Sequence, residues 1–224
     1  MSYAAVIFDL DGTLVDSMNI WEEVPEKLVR QLGYSPEPGL VEELRTRDLR
    51  AGAELLIRRY RMPWTVPELL EAADRLLEEE YRTGVRLKPG AGELVRELHW
   101  KGVPLCIATA STAAQARGAM ERYGLLGCFD FILSCTEYGG KGKPDIFLEA
   151  ARRFGLPPRS IAVVEDSLYA ARTAARSGFF VVGVADGSAA ADREELQALC
   201  GCFVESLDQL DRGLFRAWQP ADHR

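Results

Sequence analysis

The sequence has few of the features that place a chain in a membrane or in an oxidising compartment. Its longest apolar stretch, residues 179–185, is far shorter than the roughly 20 residues that a spanning helix needs. Its five cysteines are an odd number with no Cys-x-x-Cys pair, and its two histidines are too few to complete a zinc site. We therefore expect reduced, mostly buried thiols.

An excess of positive charge is also missing. The formal net charge is −7, whereas binding to a nucleic-acid duplex depends on many lysine and arginine contacts to phosphate. The first apolar run follows Met1 almost at once, so we expect no signal peptide. The expectation is a cytoplasmic protein without nucleic-acid or membrane partners, either a monomer or a small homo-oligomer.

From residue 103 onwards, short apolar runs alternate with helical segments. The runs predict strands at residues 103–108, 131–134, 161–164 and 179–184, with a first strand at residues 4–8. Pro144 can open one of the helices, and Gly155 lies where that helix should stop. This alternation predicts an α/β fold, a Rossmann-like parallel sheet with helices on both faces. We interpret the tail, residues 211–224, as a closing helix followed by disordered residues.

Residues 17–83 interrupt this alternation with helical periodicity and no good strand. Breaks rich in proline fall at residues 35–39 and 62–64. We interpret the segment as an α-helical cap domain inserted into a core domain made of residues 1–16 and 84–224. A cap entering there would lie over the carboxyl end of the sheet and exclude water from a site. Surface helices of a single domain are the alternative.

Two carboxylates, Asp9 and Asp11, stand where the first strand runs into a glycine turn. Side chains two residues apart on a strand point the same way, and open parallel sheets carry their sites at the carboxyl ends of the strands. Two close anions repel unless a cation lies between them or one is protonated. A magnesium ion is the expected solution, and the pair indicates acid-assisted chemistry on a phosphate.

Three later segments place polar residues at the same edge of the predicted sheet. Thr109 and the backbone N–H of Ala110 precede a helix and can donate to a phosphate oxygen. Lys141 follows a pair of glycines, and Glu165 and Asp166 end a further apolar strand, where they suit magnesium. Taken singly, each segment has a simpler explanation as a helix cap or a solvated loop. Four such strand ends in order favour one chemical site.

With these four segments the chain resembles the haloacid dehalogenase superfamily, in the helical-cap branch of phosphoglycolate phosphatase and beta-phosphoglucomutase. The resemblance implies that Asp9 is the nucleophile that takes the phosphoryl group and Asp11 the acid/base. Thr109 matches the hydroxyl residue of the second motif. Lys141 fits the lysine of the third motif better than Lys143 does, judged by the proline and aspartate that follow.

The same resemblance implies a magnesium site formed by Asp9, the backbone carbonyl of Asp11 and Asp166, with Glu165 bound directly or through water. Asp9 must be ionised to attack, and we expect the metal and Lys141 to hold its pKa down. Asp11 must instead keep a proton for the leaving group.

The implied activity is a magnesium-dependent phosphatase that hydrolyses a small phosphorylated metabolite through an aspartyl-phosphate. A sugar phosphomutase is the alternative, although Trp21 stands where beta-phosphoglucomutase has a histidine. Arg47 and Trp21 are the candidate substrate-binding residues of the cap, and in a mutase Arg47 and Arg50 could serve a second phosphate. A non-catalytic protein that retained the scaffold is the remaining possibility.

Overall fold

The computed structural model describes residues 2–45, 47 and 49–217, and for Trp21, Glu22 and Arg45 it describes the backbone alone. These residues form two compact units, one made of the chain up to Asp16 and from Arg86 onwards, the other of Ser17–Val85. Within the described part of the chain, every helix is too short or too polar to cross a bilayer.

The helices and strands follow one another along the chain. In order they are β1 (Ala5–Phe8), β2 (Val15–Asp16), α1 (Met18–Gln31), α2 (Leu40–Arg45), α3 (Leu49–Tyr60), α4 (Val66–Thr83), β3 (Arg86–Leu87), α5 (Ala91–Trp100), β4 (Leu105–Thr109), α6 (Ala113–Arg122), β5 (Phe131–Ser134), α7 (Cys135–Tyr138), α8 (Asp145–Phe154), β6 (Ile161–Glu165), α9 (Leu168–Arg176), β7 (Phe180–Val184), α10 (Arg193–Leu199) and β8 (Cys202–Val204).

A six-stranded parallel sheet is the centre of the first unit, with the strand order β5-β4-β1-β6-β7-β8. The chain leaves β1 to build one side through β4 and later returns to build the other side through β6. Strand order therefore reverses at β1, and such switch points are where open α/β sheets form their sites. The predicted fold class is confirmed.

Both faces of the sheet are buried, because successive side chains on a strand point to opposite sides. Ala5 and Ile7 of β1 pack in one cluster with residues of α8 and α9. Val6 and Phe8, on the opposite face, are equally inaccessible to solvent, as are the inward residues of α5 and α6. Strands buried on two sides consist of continuous apolar runs, which explains why the sequence predicts them within one or two residues.

The sequence does not predict the shortest strands. The edge strand β8 has only three residues, and β2 and β3 form a separate antiparallel ribbon of two residues each. The predicted closing helix is wrong, because the Asp211 carboxylate accepts the Gly213 N–H at 2.8 Å and makes a single tight turn there. Residues 218–224 of that tail lie outside the described part of the chain.

The cysteine prediction is also partly wrong. All five cysteines are free thiols, as expected. Cys106, in the middle of β4, is buried, but the other four are only half-buried. They lie in a short helical turn or at the ends of helices and strands rather than inside the sheet, so apolar neighbours in sequence did not imply full burial.

The second unit, Ser17–Val85, is made of helices α1 to α4. Thr65 begins α4 with a capping box, in which its side chain accepts the Glu68 N–H and the Glu68 carboxylate accepts the Thr65 N–H. Lys27 of α1 donates to Glu80 of α4 at 2.9 Å, and the interior of the unit is apolar. The helices fill the segment in which the sequence shows helical periodicity.

We predict that Phe147→Ala lowers the free energy of unfolding by about 3–5 kcal/mol, since this fully buried α8 side chain would leave a cavity against the sheet. Urea unfolding followed by circular dichroism measures the change. Leu148, its neighbour on the same helix, is 44 % exposed, and Leu148→Ala is the matched control, expected to stay within about 0.5 kcal/mol. Equal losses in the two variants would contradict the packing described for α8.

Candidate active site

The buried ammonium of Lys141 joins two carboxylates that follow or end neighbouring strands. Asp9 comes directly after β1, and its N–H donates to the carbonyl of Val164 on β6 at 2.9 Å. Lys141 donates to Asp9 Oδ1 and, at 2.8 Å, to Glu165 Oε2. All three ionisable side chains are buried, so these interactions are shielded from water and carry more weight than surface ion pairs do.

Burial, followed by the negative charge of Glu165, raises the pKa of Asp9 well above its usual range, although Lys141 acts to lower it. Burial alone would lower the pKa of Lys141, but the charges of Asp9 and Glu165 and the hydrogen bonds to them raise it above its ordinary value. The expectation that Asp9 has a depressed pKa is therefore not met by Lys141 alone. A further positive charge close to Asp9 would lower the pKa of this carboxyl.

Asp9, Glu165 and Asp166 can supply that further charge by binding a cation. Each offers one carboxylate oxygen, and these oxygens lie within 4.8 Å of one another. A buried set of hard oxygen donors with excess negative charge fits a divalent cation such as magnesium. The Asp11 side chain lies outside this set and has other partners.

Asp166 is held by the turn that follows Asp11. The Thr13 hydroxyl donates to Asp166 Oδ1 at 2.9 Å, and both side chains are buried. Gly12 has a φ of +79°, and a Cβ there would lie 2.4 Å from Asp166 Oδ2. Glycine is thus required for backbone conformation and for space. Sequence reasoning missed Thr13, whose partner is far away in the chain.

Hydroxyl groups surround the Asp11 carboxylate. Ser111 donates to Asp11 Oδ2 at 2.6 Å, and Thr109 donates to the same oxygen at 3.4 Å. The Ser111 N–H in turn donates to the Thr109 hydroxyl at 2.9 Å. Ala110 lies between them at an exposed position. Ser111 was not among the predicted site residues, although its place before α6 was visible.

The two candidate lysines differ clearly. Lys141 is buried against Asp9, whereas Lys143, two residues further on, is exposed. The structure therefore brings the side chains of Asp9, Lys141, Glu165 and Asp166 together and places Asp11 and Thr109 in contact beside them.

The predicted substrate-binding residues of the second unit are not tested by these contacts. Arg47 lies between α2 and α3 and pairs with Glu43 at 3.3 Å. Arg50 is exposed and pairs with Glu54 at 3.3 Å. The side chain of Trp21 lies outside the described part of the structure. The roles of these residues stay predictions.

Asp166 gives the site a testable pH dependence when metal is removed. Burial, followed by the charge of Glu165, raises the pKa of Asp166 from 3.8 to about 7. Between these values the folded chain holds a proton that the unfolded chain has lost, so stability falls as pH rises through this window. We predict that Asp166→Asn reduces this fall by on the order of 2 kcal/mol.

The measurement is urea unfolding in EDTA at about pH 5, where the Asp166 carboxyl keeps its proton in the folded chain, and at about pH 8, where it has lost it. Asp192→Asn, at an exposed position, is the control and should keep the wild-type difference. A difference that is unchanged in Asp166→Asn would rule out this carboxyl as its source.

Comparisons with known proteins agree with the geometry. Residues 3–178 match the family model described as haloacid dehalogenase-like hydrolase. A Drosophila melanogaster protein named "probable pseudouridine-5'-phosphatase" is 31 % identical over 188 residues, 80 % of either chain. Hexitol phosphatase A of Escherichia coli is 28 % identical over 208 residues, 91 % of either chain.

A solved structure has a similar fold. The crystal structure of CbbY from Rhodobacter sphaeroides in complex with phosphate superposes with a TM-score of 0.73 at 23 % identity, covering 93 % of this chain and 96 % of that one. At this identity the likeness concerns the fold alone. From the family match and the curated relatives, the chain belongs to the haloacid dehalogenase-like hydrolases.

Proposed function

We propose that this hydrolase is a magnesium-dependent phosphatase that cleaves a small phosphomonoester through an aspartyl-phosphate. The observation that carries the proposal is the buried Asp9 carboxylate, which accepts a hydrogen bond from Lys141 beside the acidic cluster that includes Glu165 and Asp166. The relatives named as phosphatases of pseudouridine-5'-phosphate and of hexitols support a small phosphorylated metabolite as substrate.

In the first step, an Asp9 carboxylate oxygen attacks the phosphorus while the ester P–O bond breaks. Asp11 gives its proton to the departing oxygen, which leaves as an alcohol. The Lys141 ammonium, the Thr109 hydroxyl and the Ala110 N–H neutralise or bind the phosphoryl oxygens. Magnesium bound by Asp9, Asp166, Glu165 and the backbone carbonyl of Asp11 would supply further positive charge. Phosphoryl transfer needs mainly this alignment and charge neutralisation.

In the second step, water attacks the phosphorus of the aspartyl-phosphate, and the Asp11 carboxylate takes a proton from that water. The bond between Asp9 and phosphorus breaks, and the Asp9 carboxylate is regenerated together with inorganic phosphate. Asp11 is then protonated again, ready for the next substrate. The sum is one phosphomonoester and one water converted to one alcohol and one phosphate.

The unit Ser17–Val85 is proposed as the cap that selects the leaving group, with Arg47 and Trp21 as its substrate-binding residues. A mutase would share the same nucleophile and acid/base and would differ in the acceptor, a hydroxyl of a sugar phosphate instead of water. The cytoplasmic location and the absence of a nucleic-acid partner stay predictions from the sequence.

Replacing the nucleophile tests the proposal directly. Asp9→Asn should lower phosphate release from its preferred substrate by more than about 10³-fold, because the amide cannot form the acyl phosphate. The assay is release of inorganic phosphate from a panel of hexitol, glycerol, nucleoside and glycolate monophosphates, with magnesium and with EDTA. Wild-type release should require the metal.

Asp192→Asn is again the matched control, since it makes the same chemical change at an exposed position. Substantial turnover by Asp9→Asn would refute the assigned nucleophile. Formation of glucose 6-phosphate from beta-glucose 1-phosphate, with little free phosphate, would favour the mutase.

A further inference from the structure

Ser134 is a buried polar residue that lies outside the residues of the proposed mechanism. It ends β5 and is opposite Thr109 of β4 in the sheet register. Its side chain is buried, and its hydroxyl donates to the carbonyl of Ser111 at 2.8 Å. Ser111 is the residue whose own hydroxyl donates to Asp11.

A second hydroxyl orients that of Ser134. Thr136 Oγ1 lies 3.0 Å from Ser134 Oγ, and the Thr136 N–H donates to the same oxygen at 3.3 Å. Since the one hydroxyl hydrogen of Ser134 goes to the Ser111 carbonyl, the hydroxyl of Thr136 is the donor in their pair. The hydrogen bonds therefore run from Thr136 through Ser134 to the backbone of Ser111.

Ser111 is fixed at three atoms. Its N–H donates to Thr109 Oγ1, its carbonyl accepts from Ser134, and its hydroxyl donates to Asp11 Oδ2. An exposed serine at the start of a helix would exchange freely among rotamers and water partners. Here the bonds at the N–H and the carbonyl hold the backbone of Ser111, from which its buried side chain reaches Asp11 Oδ2.

We propose that Ser134 is a positioning residue for the acid/base step, acting on Asp11 through Ser111. The inference rests on the proposed function, in which Asp11 protonates the leaving oxygen. Asp11 Oδ2 accepts the hydroxyl hydrogen of Ser111 at 2.6 Å, so the orientation of the Asp11 carboxylate in this step depends on the position of Ser111. Ser134 thereby helps to set that orientation, without touching the substrate.

If Ser134 positions Asp11, the effect of losing its hydroxyl on activity should depend on the leaving group of the substrate. An alkyl phosphomonoester releases a strongly basic alkoxide and needs the proton of Asp11, whereas p-nitrophenyl phosphate releases a stable phenolate and needs it little. Loss of the Ser134 hydroxyl should therefore slow the first substrate type more than the second. A general loss of folding or of metal would slow both alike.

The experiment compares kcat/KM for glycerol phosphate or another accepted alkyl ester with kcat/KM for p-nitrophenyl phosphate. The parameter kcat/KM is used because it reports the steps up to and including phosphoryl transfer. In Ser134→Ala, we expect about a tenfold loss with the alkyl ester and less than about a twofold loss with the aryl ester, as for a modest displacement of a catalytic group. Ser134→Thr, which keeps the hydroxyl, should recover most of the alkyl activity.

Ser177→Ala is the matched control. The Ser177 hydroxyl also donates to a backbone carbonyl, that of Thr173 at 2.8 Å, but at the far end of α9. It should leave both kcat/KM values unchanged. Thermal unfolding verifies that each variant is folded. If Ser134→Ala does not fold, Thr136→Val tests the same series of hydrogen bonds, and a smaller selective loss of activity with the alkyl ester is expected.

Equal losses with the two esters, or no loss with either, would overturn the positioning role of Ser134. Failure of the wild type to release phosphate from both esters would instead count against the proposed phosphatase function. The two failures are thus distinguishable in the same assay.

Discussion

The ammonium of Lys141 is the charge on which the rest of the site depends. It lies between Asp9 and Glu165, two carboxylates that end up side by side because their strands are neighbours in the sheet. Without it, two buried negative charges would face each other, and breaking a buried ion pair in this way typically costs about 3–5 kcal/mol. In the proposed mechanism, the same positive charge lets an anionic phosphate approach the Asp9 carboxylate. Lys141 would then serve both the stability of the metal-free core and the access of the substrate.

The sheet brings together the strand ends that carry the side chains around Lys141. Phe8, the last residue of β1, is paired with Ile107 on one side and with Val164 on the other. The residues that follow these three positions must emerge at one edge, next to the switch in strand order. Parallel strands keep their carboxyl ends together, so a first carboxylate, a hydroxyl group and an acidic pair can be encoded in segments about 50–100 residues apart and still meet.

The sequence predicts this arrangement where the strands are mostly buried and apolar throughout. Strands β1 and β4 to β7 read as continuous apolar runs, and their order places Asp9, Thr109 and Glu165 in one crevice. Prediction fails where an element is too short for periodicity, as in the three residues of β8. It also fails where local chemistry has a simpler explanation: a serine before a helix predicts a cap, and nothing local shows that Ser111 bonds a carboxylate 100 positions away.

Hydroxyl contacts such as that of Thr13 with Asp166, 153 positions apart, are products of tertiary structure. Their donors are serine and threonine, which are abundant and often cap helices or form turns. A sequence pattern therefore cannot select the serine and threonine residues that contact the site. Charged residues are different, because burying a lysine or an aspartate is costly unless a partner is present. That cost makes ionisable residues at strand ends informative in a single sequence, while the hydroxyl groups that orient them become visible only in three dimensions.

The small ribbon of β2 and β3 has a consequence for how this architecture can diversify. Val15 pairs with Leu87 and Asp16 with Arg86, so the two points where the chain leaves the core and returns to it are hydrogen-bonded together. The closure of a long loop is thereby completed within the core itself, and lengthening such a loop adds little further entropic cost. Evolution can exchange or remodel the segment between those points while Asp9, Lys141 and the acidic cluster stay where they are. A common chemistry can in this way be inherited by enzymes that act on different metabolites.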